Sequence, residues 1–179
     1  MIPKTIVGID PGQSGGIAIW QSKTPVKAIK MPKKEDIKNL SDYFKHLKET
    51  NADILVFIEK VQMFMSDSDA ENRGKQFRIK VMLANYEQLK ALLVFNGLPF
   101  VEVHPMSWQS TLGLRRKGLK GQDKKRAHKD YAGNCFPEIS TNLWNCDALC
   151  LVQFALRKFE DKPEWILERI QNKQGQGLF

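Results

Sequence analysis

Three carboxylates stand where apolar sequence would ordinarily exclude them. Asp10 closes the run Ile6-Val7-Gly8-Ile9, Glu59 closes Ile54-Leu55-Val56-Phe57-Ile58, and Asp147 sits within Cys146-Asp147-Ala148-Leu149-Cys150-Leu151. An ionised carboxylate in such surroundings needs a partner. Two or three carboxylates with open coordination positions suit Mg²⁺ or Mn²⁺, hard ions that take oxygen ligands and keep waters for exchange with substrate. With no Ser/His/Asp set of nucleophile type, metal-assisted hydrolysis of a phosphodiester is the economical chemistry. Two ions about 4 Å apart would activate a water on one side and stabilise the leaving 3′ oxygen on the other. Asp10 alone has other readings, because Pro11-Gly12-Gln13-Ser14-Gly15-Gly16 follows it. Those glycines can cradle a nucleotide phosphate, or Asp10 can simply cap a hairpin turn. Glu59 and Asp147 weigh the choice toward a metal.

The elements that must position these acids follow from periodicity. Strands are predicted at 4–10, 16–21, 25–30, 54–59 and 99–103, with helices at about 35–49 and 70–96. Leu40, Phe44 and Leu47 form the stripe of the first helix. Met82, Leu83, Tyr86, Leu89, Leu93 and Ile79 form that of the second, which ends near Asn96-Gly97. After residue 104 the chain turns helical: a short helix or turn at 105–112, a basic helix at 121–135, an apolar helix at 141–159 and a last amphipathic helix opened by Pro163. Three hairpin-connected strands followed by alternating helix and strand imply an α/β fold, a mixed five-stranded sheet with helices on its faces. In a parallel pair, the strands ending at Asp10 and Glu59 deliver both acids to one sheet edge, where ligands of open α/β sheets bind. One domain is expected over 1–170, with 171–179 a loose polar tail.

Gly8-Ile9-Asp10-Pro11-Gly12 with Gly15-Gly16, Ile58-Glu59-Lys60-Val61 with Phe64-Met65 behind it, and the late Asp147-Ala148-Leu149 together resemble the RuvC family of Holliday-junction resolvases, in order and spacing over residues 4–158. The resemblance implies an RNase H-like fold with helices on both faces of the sheet, a homodimer on four-way DNA, and Mg²⁺-dependent nicking of two strands of like polarity. Carried over residue by residue, it makes Asp10, Glu59 and Asp147 the catalytic, metal-binding acids. It places Phe64 to stack on bases at the junction centre, a contact worth about 1–3 kcal/mol. It also places a lysine at the start of a late helix, matched here by Lys124 or Lys125. The family usually adds a fourth acid or a histidine three residues before the last Asp; this sequence has Trp144 there, and Asn145 points off that helix face. A second family lysine is replaced by Trp108 or Gln109.

Charge agrees with an anionic partner. The 179 residues carry 28 Lys and Arg against 20 Asp and Glu, a net charge of +8. Arg73, Lys75 and Arg78 lie at the front of the long helix, and Arg115, Arg116, Lys117, Lys120, Lys124 and Lys125 form the densest basic block. Beside a phosphodiester site these read as DNA-tracking residues, with Gly113, Gly118 and Gly121 letting the block order on binding. His104 reads as a structural histidine, and His46 and His128 as helix-surface residues. Cys135, Cys146 and Cys150 include no Cys-x-x-Cys pair and read as buried, reduced thiols. No apolar run reaches the roughly 20 residues of a membrane span, and no signal-type segment opens the chain, so a cytoplasmic protein (host cytoplasm for a viral one) is expected. Other readings are a flap or fork nuclease of the same fold and a non-catalytic DNA-binding relative. An actin-like phosphotransferase would require a duplicated domain that this length does not hold.

Overall fold

A computed structural model describes residues 2–33, 36–61, 73–116, 118 and 121–171, leaving out the side chains of 73–76 and 78. Five strands, β1 (Thr5–Ile9), β2 (Gly16–Gln21), β3 (Thr24–Lys30), β4 (Ile54–Glu59) and β5 (Phe100–Val103), form one sheet in the order β3-β2-β1-β4-β5. β1, β2 and β3 pair antiparallel as a meander, whereas β1–β4 and β4–β5 pair parallel. The result is a mixed α/β sheet. The predicted strands recur with ends shifted by at most one residue.

Helices cover both faces. On one face lie α1 (Ile37–Thr50) and α2 (Arg73–Phe95), whose Leu40, Phe44, Leu47, Tyr86, Leu89 and Leu93 meet Val7, Ile9, Val56 and Ile58. The other face carries α3 (Pro105–Thr111), α4 (Gly121–Cys135), α5 (Cys146–Asp161) and α6 (Pro163–Leu167), packed on Ile6, Leu55, Phe57, Val101 and Val103. Alternation along each strand therefore sorts side chains between two cores. β4 is buried on both sides, as a central parallel strand must be, which is why it reads as an unbroken apolar run.

Three details depart from expectation. The apolar helix begins at Cys146 rather than at 141, because Ser140, Asn142 and Asn145 form a side-chain-bonded turn instead. The Asn145 Oδ1 accepts from the Asn142 N–H at 2.7 Å and its Nδ2 donates to the Ser140 carbonyl at 3.1 Å, the competition with helix that short polar side chains offer. Met82 lines the cleft at the sheet edge rather than the core. Gln171, assigned above to the tail, bridges Phe100 through two backbone hydrogen bonds and donates its side-chain amide to Glu102 at 3.1 Å; residues 172–179 lie outside the described residues.

Candidate metal and nuclease site

The site is built by strand register. β1 and β4 run parallel with Ile9 opposite Ile58, so the next residue of each strand, Asp10 and Glu59, stand side by side at the carboxyl ends. By alternation both point to the α5 face, as do Ile6 and Leu55 two turns of the pleat earlier. The third acid arrives because β1 carries glycine at its centre. A Cβ on Gly8 would lie 2.2 Å from the Ala148 carbonyl oxygen, so α5 rests directly on the strand backbone and holds the adjacent Asp147 beside Asp10. Gly15 packs as tightly on the Asp10 carboxyl, which its Cβ would meet at 2.7 Å, and the Gly12 N–H donates to Asp10 Oδ1 at 3.1 Å.

Each acid faces a nitrogen donor, and Asp10 and Asp147 share one. The Lys125 ammonium lies between Asp10 Oδ2, at 3.5 Å, and Asp147 Oδ2, which it contacts more closely. The other Asp147 oxygen, Oδ1, is 2.9 Å from His128 Nδ1. Glu59 Oε1 accepts from the Trp108 indole N–H at 2.9 Å. Asp10 and Asp147 are each only 8% exposed, so burial and these partners together set their protonation. Burial raises Glu59 to about 8, helped by the negative charges of Asp10 and Asp147. Burial also raises Asp10, partly offset by Lys125. For Asp147 burial pushes upward too, but the His128 hydrogen bond and the Lys125 charge outweigh it and leave this carboxyl below its ordinary value. Lys125 is pulled up the other way: desolvation lowers it, and Asp147 and Asp10 more than reverse that.

Among the described residues, no three acid, histidine or cysteine side chains already converge on one point as a finished metal cage. The donor set nevertheless fits a hard divalent cation. Two carboxylates share a positive charge, here an ammonium, and a third carboxyl beside them is held protonated near neutrality for want of one. A cleft of about 160 Å³ opens onto this cluster, lined by Asp10, Gly12, Glu59, Lys60, Met82 and His104.

Comparison with known proteins places this geometry. No family model matches the chain, and no curated protein matches it significantly in sequence. Solved structures do match in shape, among them two of RuvC. "T. thermophilus RuvC in complex with Holliday junction substrate" aligns with a TM-score of 0.55 at 12% identity, covering 88% of this chain and 96% of that one. "Thermus thermophilus RuvC structure" aligns with a TM-score of 0.52 at 15% identity, covering 87% and 96%. The fold is RuvC-like. At these identities the likeness concerns the fold alone: the mixed five-stranded sheet and its helices.

Within this RuvC-like frame the basic residues divide. Arg115 and Arg116 are exposed, and Lys124 is partly exposed. Lys125, expected to face DNA, instead turns into the acids, because their buried negative charge attracts the nearest cation on α4. Arg73, Lys75 and Arg78 lie in the first turns of α2, with their side chains outside the described set; Phe64, Lys117 and Lys120 fall outside the described residues altogether. His104 caps α3, where its Nδ1 accepts from the Met106 N–H at 3.3 Å, and also lines the cleft. Trp144 packs against Gly16, and Asn145 is consumed by its turn. His128 corrects the surface reading: it is 2% exposed and bound to Asp147. The clue was its spacing, since Lys125, His128 and Ala132 share one face of an otherwise polar helix.

Proposed function

We propose that this protein is a metal-dependent, structure-selective endodeoxyribonuclease that resolves four-way DNA junctions by paired nicks, acting as a homodimer. The observation that carries the reading is the meeting of Asp10, Glu59 and Asp147 at one sheet edge of a RuvC-like fold, through the register of β1 with β4 and the seating of α5 on Gly8.

Asp10, Glu59 and Asp147 are the catalytic residues that would hold Mg²⁺ or Mn²⁺, in two ions. Bound there, the metal supplies water activation and stabilisation of the leaving 3′ oxygen during phosphodiester hydrolysis. The protein supplies the rest. Trp108 ties down one oxygen of Glu59 and His128 one oxygen of Asp147, whose other oxygen Lys125 contacts. Lys125 neutralises the buried charge of Asp10 and Asp147, and as a partly exposed cation at the site it would also attract a substrate phosphate. Arg115, Arg116, Lys117, Lys120 and Lys124 follow the DNA arms from the approach to α4, Arg73, Lys75 and Arg78 do so from α2, and Phe64 stacks on a junction base.

Trp144, standing where a fourth ligand is usual in the family, favours a second reading: a nuclease with a relaxed preference for flaps and forks. Cleavage of labelled four-way, forked and linear duplex DNA in Mg²⁺ separates the two. Selective paired nicking of the four-way substrate supports resolution, comparable cutting of forks supports the second reading, and equal cutting of linear duplex contradicts both.

A further inference from the structure

The two aromatic N–H donors of the site are one unit. Trp108 on α3 is fully buried and donates to Glu59; His128 on α4 is 2% exposed and contacts Asp147. Their rings pack edge to face with centroids 4.9 Å apart and planes at 67°. The His128 Nδ1 faces a carboxylate oxygen, so it carries the proton and donates. Its Nε2 is buried with no hydrogen-bond partner among the described residues, a cost a packing residue of the same shape would avoid. Keeping an imidazole there makes sense if the Nδ1–H bond has a use.

We propose that Trp108 and His128 are paired positioning residues that fix Glu59 and Asp147 in the rotamers in which they would bind the divalent ion. Each N–H occupies one oxygen of its acid, and the ring contact locks the two donors to each other, so that α3 and α4 set the spacing of two ligands from two different elements. Carboxylates held this way lose less freedom when the ion binds. The inference rests on the metal-site reading above.

The test is calorimetric titration of Mn²⁺ into DNA-free protein: wild type, Trp108→Phe, His128→Leu and His128→Asn. Trp108→Phe keeps a smaller aromatic ring and removes the N–H; His128→Asn keeps a side-chain N–H donor near the Nδ1 position. Trp108→Phe and His128→Leu are expected to weaken Mn²⁺ binding by about 10- to 100-fold, and His128→Asn to recover most of that loss. Junction binding measured in EDTA is expected to match wild type in all of them, because neither ring reaches the surface. Wild-type Mn²⁺ affinity in folded Trp108→Phe overturns the pair's role even if His128→Leu does not fold. Absence of Mn²⁺ binding by wild type is a different failure, since it removes the metal site itself.

Discussion

At the scale of single residues, the site is a charge problem solved provisionally by one lysine. Lys125 is the counter-charge for two buried carboxylates. Lys125→Met should cost about 2 kcal/mol of stability in EDTA, discounted from the roughly 3–5 kcal/mol of a fully buried pair because its side chain remains 32% exposed. Thermal melts with and without Mn²⁺ check this, with a larger metal-induced rise in Tm expected for the variant. Glu59 adds a pH dependence. Its carboxyl titrates at about 8 in the ion-free fold, against an ordinary 4.5, so between those values the folded state binds more protons than the unfolded state. Stability of the ion-free protein contributed by this group therefore falls as pH rises from 4.5 to 8, and Glu59→Gln should flatten that slope. Asp147 has the opposite sign: its carboxyl is lowered, so its contribution is present above its ordinary value of 3.8 and lost as pH falls below it. Because an ion binds ionised Glu59, Mn²⁺ affinity should climb with pH and level off above about 8, with protons released on binding below it.

At the scale of elements, the seating of α5 on β1 decides whether three acids become one site. Gly8→Ala would drive a methyl into the Ala148 carbonyl, where backbone must yield. The expected loss is about 3 kcal/mol in urea unfolding, the upper end for an overpacked core, together with weaker Mn²⁺ binding as Asp147 is pushed away. Unchanged stability would mean that the helix does not rest there. This contact also marks the limit of what the sequence makes legible. Asp10, Glu59 and Asp147 stand out because charge after or within an apolar run is conspicuous, and the five strands because their apolar runs are bounded by turns. Gly8 is readable as well, a glycine inside a buried strand being a sign of close backbone approach. What approaches it is not, since that depends on an α5 that is 140 residues away in the chain. His128 is hard to read for a related reason: on a helix with Lys124, Lys125, Arg126 and Lys129 composition says surface, and its spacing with Ala132 is the one sequence sign of a covered face. Residues 141–145 read as helix from their apolar neighbours because the Asn145 turn bonds are local choices that periodicity does not register.

At the scale of the whole molecule, a +8 chain with an acidic centre and basic residues at the approach to α4 separates two tasks. On the proposed function the basic residues would collect DNA and the acids would act on it. Replacing Arg115 or Arg116 by Ala should weaken junction binding and lower the slope of log affinity against log salt by about 1 each, while Mn²⁺ binding without DNA stays as in wild type. Fluorescence anisotropy across a salt series reads that difference. Paired nicking further requires two copies, so sedimentation of the full chain on a four-way junction should show two protomers per junction. The claim on which all of this depends is that the acids at the sheet edge perform the hydrolysis. The direct measurement is nicking of a labelled four-way junction in Mg²⁺ by wild type and Asp10→Asn, with junction binding in EDTA measured alongside. The account predicts nicks by wild type and none above background by Asp10→Asn, with junction binding retained. Nicking by Asp10→Asn at the wild-type rate would contradict it.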